Sequence, residues 1–148
     1  EVEVELDTGQ VRVLGVWAAH DVGRVLNALG LEGQIEGGVV MGLGYALSEE
    51  LKVKQGRILN PAFRDYHLFT APEVPPIHFE FIETADPTGP FGAKGVGEAP
   101  AICVAAAIAN AVFDATGVRF TTLPLTPERV LDGLIAAGVT KDALGAGA

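Results

Sequence analysis

The chain has 148 residues, 49% hydrophobic and 20% charged, a composition that supports one domain with its own core and excludes a chain that stays disordered. Nineteen acidic against ten basic residues leave a net charge of −9, so the surface repels polyanions, and neither nucleic acid nor an anionic membrane is a natural partner. The lone cysteine, Cys103, excludes an internal disulfide, a CxxC redox pair and a cysteine-rich zinc or iron–sulfur site on this chain.

Glu1 to Leu6 alternates acid and aliphatic, Asp7 to Gln10 supplies turn residues, and Val11 to Ala18 resumes an apolar run. This pattern predicts a β-hairpin, and it is not the basic-then-apolar pattern of a secretory signal. A start inside a strand pattern suggests a piece of a longer polypeptide. A helical turn over Arg24 to Leu29 is expected next. A helix then spans about Glu32 to Leu51, with Ile35, Val39, Val40, Leu43, Ala46, Leu47 and Leu51 near helical spacing. It carries Gly37, Gly38, Gly42 and Gly44, each costing about 1 kcal/mol against alanine in a helix interior. Something must approach closely, whether a sheet or a ligand or loop on the glycine face.

Lys54 to Arg57 reads as a turn and Asn60 to Pro76 as an irregular surface connection punctuated by proline. Ile77 to Glu83 alternates at period two and predicts a third strand, with His78 and Glu80 facing outward. From near Glu98 an apolar helix runs to Thr116 and stops at Gly117, its alanines at 105, 106, 107, 109 and 111 permitting close approach to a sheet. Its apolar stretch falls short of the roughly 20 residues that cross a bilayer and reads as a buried core helix. Thr126-Pro127-Glu128 opens a last helix to about Ala137, and the tail at 142–148 is expected to fray. The fold class expected is α+β: a two-layer mixed sheet with helices packed on one face, in a single domain over 1–148. Trp17, Phe113 and Cys103 are expected in the core. His20, His67 and His78 lack ligand spacing, so no metal site is expected among side chains.

The segment Thr84 to Gly97 concentrates the chemistry. Its glycines at 92, 95 and 97 permit positive φ and let backbone N–H groups face a ligand, and it feeds a helix N-terminus, where negative charge is favoured. It is neither a Walker A loop, because Gly95 and not Ser or Thr follows Lys94, nor a dinucleotide fingerprint, because Pro100 stands where a third glycine is needed. An independent nucleotide-binding protein is therefore disfavoured. Glu98 at the helix mouth is open to two readings: a helix-terminal charge, or a general base within reach of the proton it removes.

The run Gly89-Pro-Phe-Gly-Ala-Lys-Gly-Val-Gly-Glu98-Ala-Pro100, preceded by Glu32-Gly-Gln-Ile-Glu-Gly-Gly38 and Met41-Gly-Leu-Gly-Tyr45, closely resembles the C-terminal part of the molybdenum-binding subunit of the xanthine dehydrogenase and aldehyde oxidase family. The likeness extends through Ala18 to Gly23 and on to Thr126 to Val130. The resemblance implies a molybdenum cofactor-binding domain type of fold and a molybdenum hydroxylase acting on an aldehyde or N-heterocycle. It matches Glu98 to the catalytic base, which deprotonates a hydroxyl or water ligand on molybdenum. Lys94, Gly95, Val96 and Gly97 match the loop packed on the pyranopterin, and Gln34 matches a glutamine that hydrogen-bonds it. The implied cofactor is molybdenum–molybdopterin, plain or as its cytosine dinucleotide, with 2Fe-2S clusters and FAD on partner chains or domains. Its implied partners are the rest of the molybdenum-binding subunit, the iron–sulfur and flavin parts and a small-molecule substrate, in a cytoplasmic setting with the periplasm as the alternative. The competing expectation is a non-catalytic assembly module of such a complex.

Overall fold

The computed structural model describes residues 1–139; the expected frayed tail at 142–148 lies outside them. Strand β1 (Val2–Val4) and β2 (Val11–Val13) pair antiparallel, with Val2 opposite Val13 and Val4 opposite Val11. The hairpin expected from the alternation is therefore present, but its second arm is shorter than the apolar run. The chain leaves the pair at Leu14 and Gly15 and enters β3 (Val16–Asp21), which pairs in parallel with β6 (Ile77–Ile82). A third, antiparallel pair joins β4 (Val53–Lys54) to β5 (Arg57–Ile58) across Gln55 and Gly56, where a turn was expected without strands. The strands thus form three separate two-stranded pairs of mixed parity.

Alternation sorts the two faces of β3–β6. Val16, Ala18 and His20 lie opposite Ile77, Phe79 and Phe81 on the half-buried side, and Trp17, Ala19 and Asp21 lie opposite His78, Glu80 and Ile82 on the outer side. His78 and Glu80 face outward as expected. So does Trp17, expected in the core: it is 63% exposed, and its ring stacks on His78 at 5.3 Å because both occupy the outer register.

Helix α1 (Ala28–Leu47) crosses between the parallel strands. It starts earlier than its hydrophobic spacing suggests, because Asn27 sits in extended backbone and its Oδ1 accepts from the Gly30 amide at 3.0 Å. The helical turn expected over Arg24 to Leu29 does not form: residues 24–27 are bend or irregular backbone, and only Ala28 and Leu29 belong to the helix. The helix ends at Leu47 and leaves Leu51 outside: the amides of Ser48 and Glu49 both return to the Gly44 carbonyl, and the Glu49 carboxylate folds over Gly44 to accept from the Tyr66 hydroxyl at 2.7 Å. Buried Asn60 then fastens the following loop, its amide donating to the Glu50 carbonyl and accepting from the Lys52 amide.

The apolar stretch after residue 98 is long and apolar enough in composition to cross a membrane, but it folds as two helices, α2 (Ala99–Ile102) and α3 (Val104–Thr116). Its buried row in α3 is Val104, Ile108, Val112 and Thr116, set against α1. The alanine face is only partly covered and Ala106 and Ala107 are exposed, so the expectation of a wholly buried core helix is corrected to a one-sided one. Phe113 lies on the outer side, 39% exposed with the Arg119 guanidinium 3.9 Å above its ring, and Cys103, at the break between the helices, is exposed. Gly117 closes α3 at φ 72°, as the sequence predicts. Helix α4 (Pro127–Ala137) starts on Thr126, whose hydroxyl accepts from the Arg129 amide.

The core joins Ile35, Val39, Leu43 and Ala46 of α1 to the buried row of α3, to Val130 and Leu134 of α4, and to Val22, Val96 and Leu125 from the connections. The inner residues of β1–β2 and β3–β6 pack against this set. Each valine, leucine or isoleucine in this set contributes about 1.5–3 kcal/mol by leaving water, so Val96 is an apolar anchor for the loop that contains it.

Candidate functional site

Val96 anchors a loop whose neighbours stay outside. Lys94 is fastened to the end of β3, Val96 is buried at 8% exposure, and Pro100 is fully buried. Gly95, Gly97 and Glu98 are exposed between these anchors. The backbone is thereby presented at 95, 97 and 98 and gripped at 94, 96 and 100.

Two neighbouring cavities open on this segment. One, of about 490 Å³, is lined by Gly33, Gln34, Gly37, Gly38, Met41 and Tyr45 of α1 and by Gly97 and Glu98, with Ala101 and Ile102 closing one side. The other, of about 260 Å³, takes Asn27, Gly30, Leu31 and Gln34 from the start of α1 and Ala93, Lys94, Val96 and Gly97 from the loop, with Arg24 beside them. Gln34 and Gly97 belong to both. The fold therefore brings together Gln34 and Glu98, far apart in sequence, and places Val96, Gly97 and Lys94 beside them. Gly95 lies between Lys94 and Val96 on the same exposed stretch.

The glycines test whether a bulky polar group fits here. A Cβ built on Gly33, Gly37, Gly95 or Gly97 meets nothing within 4 Å. None of the four has positive φ. Neither packing within this chain nor backbone strain explains them. Small residues at these positions let a ligand lie directly on backbone, next to an amide side chain (Gln34) and a carboxylate (Glu98). That donor set suits a polar, hydrogen-bonding cofactor such as a pterin.

Two expectations about the loop are corrected. Of its glycines at 92, 95 and 97, only Gly92 takes positive φ, at 84°, beside Phe91 at 55°. The long helix whose N-terminus was to favour an anion is instead the single turn α2. Glu98 is the N-cap residue of that turn and makes no side-chain capping hydrogen bond, so its carboxylate is not committed to the helix end.

Lys94 is engaged elsewhere with its charge. Its Nζ donates to Asp21 Oδ2 at 2.7 Å and to Thr84 Oγ1 at 3.0 Å. The same carboxylate accepts from the Thr84 hydroxyl and from the Gly23 amide. The Lys94 ammonium first, and then these donors, hold the Asp21 pKa down at about 2. Asp21, Thr84, Arg24 and Gly33 were not legible as site residues, whereas Gly37 lies on the glycine face where a ligand or loop was one of the two expected neighbours. The signal available was the position of Asp21 at the end of a strand, where the carboxyl ends of parallel strands gather loops.

A third cavity, of about 200 Å³, is lined by Trp17, His20, Pro100, Cys103 and Ala107 among others. His20 Nε2 is buried there without a hydrogen-bond partner among the described residues. Also among the described residues, no three His, Cys, Asp or Glu gather as a metal-binding group.

The molybdopterin cofactor-binding domain family matches residues 1–75. The chain is 42% identical over 141 residues to the xanthine dehydrogenase molybdenum-binding subunit of Escherichia coli O157:H7, covering 94% of this chain and 19% of that protein. It is 40% identical over 138 residues to the aldehyde oxidoreductase of Megalodesulfovibrio gigas, covering 92% of this chain and 15% of that protein. Among solved structures, quinoline 2-oxidoreductase from Pseudomonas putida 86 superposes with a TM-score of 0.85 at 34% identity, over 90% of this chain and 18% of that one. The Cu,Mo-CO dehydrogenase superposes at 0.84 with 30% identity, over 93% of this chain and 18% of that one. The chain thus spans about a fifth of the length of these relatives, or less.

Proposed function

The chain belongs to the molybdopterin cofactor-binding domain family, as found in the molybdenum-binding subunits of xanthine dehydrogenases and aldehyde oxidoreductases, and from that premise we propose that it forms one wall of the active site of a molybdenum hydroxylase. The observation that carries the reading is the shared cavity: Gln34, Glu98 and three glycines open at Cβ line one space. When bound, the molybdenum–molybdopterin group supplies the two-electron redox centre at which an aldehyde or N-heterocycle carbon is hydroxylated with oxygen from water. Gly97 and Gly95 present backbone to the pterin, Gln34 offers it an amide donor and acceptor, and Val96 keeps that backbone in place from beneath. Glu98, uncommitted to a helix cap, accepts the proton of the water-derived nucleophile through its carboxylate.

The remaining walls, the rest of the molybdenum-binding subunit, the 2Fe-2S and flavin partners and the choice between plain and cytosine dinucleotide cofactor belong to the same proposal, as does a cytoplasmic assembly. Glu98→Gln in the assembled complex removes the base and preserves its shape. Turnover falls about 10²- to 10⁴-fold while molybdenum content is retained; unaltered turnover overturns the catalytic assignment.

A second reading, a non-catalytic assembly module, draws on the exposed apolar side chains around the site, notably Leu29, Phe91 and Ile102 at 78%, 80% and 77%. It expects full turnover from Glu98→Gln and loss of assembly from Ile102→Asp, read by native mass spectrometry.

A further inference from the structure

Three segments meet at one carboxylate. Asp21 ends β3, Thr84 lies just beyond β6, and Lys94 comes from the loop that carries the candidate site. Because β3 and β6 run parallel with Asp21 opposite Ile82, both strand ends arrive at the same edge, and the loop is drawn back across them. The Lys94 side chain reaches Asp21 at 2.7 Å, while its amide donates to the Val22 carbonyl at 2.9 Å. Lys94 is therefore held to the strand end by main chain and side chain at once. Gly23, at φ 69°, completes the seat: a Cβ there would strike the Gly92 carbonyl and the Lys94 chain. The Ala85 amide donates to the Gly23 carbonyl at 2.9 Å, pinning the other end of the loop to the same residue.

We propose that Asp21, Thr84 and Lys94 form a clamp that sets the conformation of Gly95 to Glu98, with Lys94 acting as a positioning residue through Asp21. The inference deepens the cofactor reading and rests on it for what the loop receives; the clamp itself rests on the contacts above. Without the clamp, the exposed residues 95, 97 and 98 keep Val96 and Pro100 as anchors, and Lys94 is left with only the bond from its amide to the Val22 carbonyl, no longer braced by its side chain. Their backbone then samples positions away from the cavity edge that Gln34 and Gly97 share. An error of the order of 1 Å in such a loop is enough to lower turnover by about a hundredfold.

The test uses the assembled enzyme carrying Asp21→Asn, Thr84→Val, Lys94→Met or Lys94→Arg, with Glu73→Gln as control. Glu73 is a comparable carboxylate held by Thr70 and His67 on a remote loop. Hydrogen exchange of the Lys94 amide, which donates to the Val22 carbonyl, reads the clamp directly, and molybdenum per complex together with kcat and KM reads its consequence. The clamp predicts exchange faster by about tenfold or more in Asp21→Asn and Lys94→Met, and molybdenum content or kcat lower by about tenfold to a hundredfold with KM within about threefold. Lys94→Arg recovers most of this, Thr84→Val is intermediate, and Glu73→Gln changes neither readout. Unchanged exchange in both Asp21→Asn and Lys94→Met overturns the clamp, as does an equal effect from Glu73→Gln. A wild-type complex without molybdopterin whose Asp21→Asn variant still loosens the loop overturns the functional reading and sustains the clamp.

Discussion

Helix α1 carries two pairs of glycines that look alike in sequence and differ in the space at their Cβ positions, although Gly38 of the packed pair also touches the edge of the cavity. Gly38 and Gly42 face inward: a Cβ on Gly38 would lie 2.7 Å from Pro100 Cβ, and one on Gly42 would lie 2.5 Å from Val104 Cβ and 3.1 Å from the Ala101 carbonyl. They are small because α2 and the start of α3 press against them. Gly33 and Gly37 face the cavity and meet nothing within 4 Å, although each costs the helix about as much as its inward neighbour. The inward pair repays that cost by packing inside this chain; the outward pair repays it only through something that comes to the cavity. A glycine-rich helix therefore signals close approach without saying from which side.

Substitution separates the pairs. Gly42→Leu forces a branched side chain into Val104 and destabilises the fold by about 1–3 kcal/mol, seen as a lower urea midpoint at unchanged slope. In a double-mutant cycle, Val104→Gly, which removes the Cβ that a Cβ on Gly42 would strike, relieves part of the cost of Gly42→Ala, with a coupling energy of about 0.5–3 kcal/mol; strict additivity would mean that the contact is not what keeps Gly42 small. Gly37→Ala has the opposite sign, raising stability by up to about 1 kcal/mol, while the assembled enzyme retains less molybdenum. Stabilisation with full molybdenum content would remove the outward pair from the site.

The smallest effect concerns acid. The Asp21 carboxyl is held at about 2 against an ordinary 3.8, chiefly by the Lys94 ammonium, and Glu73 at about 2 against 4.5, chiefly by the Thr70 hydroxyl. Both groups are lowered on folding, so each adds stability that is complete above its ordinary value and is lost as pH falls toward about 2. Asp21→Asn removes its share, flattening the dependence of the unfolding midpoint between about pH 4 and pH 2. An unchanged slope there would mean that the Lys94 contact does not form in solution.

Much of the fold was legible because its signals are local. Period two marked β1 and β6, Thr126-Pro127 marked the start of α4 and Gly117 the end of α3, since each depends on residues within one turn or one strand. The misses share a cause too. The run from Val11 to Ala18 reads as one strand, but it divides at Leu14 and Gly15 because its second half finds a partner in β6, far along the chain. Trp17 reads as core by its type, yet the register of β3 sets it outside against His78. Cys103 sits in an apolar run and is exposed because the helix breaks there.

The sequence by itself determined the composition class, the order of most elements and the residues of a loop resembling one that receives molybdopterin. Those are properties of neighbouring residues: alternation, caps, and a run of glycines ending in a carboxylate. The tertiary structure decided which glycines are packed and which stand open, that Gln34 shares a cavity with Glu98, and that the Lys94 charge is spent on Asp21 and Thr84. Each of these joins segments far apart along the chain, and such pairings are fixed only when the strands register and the helices pack, because no local preference encodes which distant surface a side chain will meet.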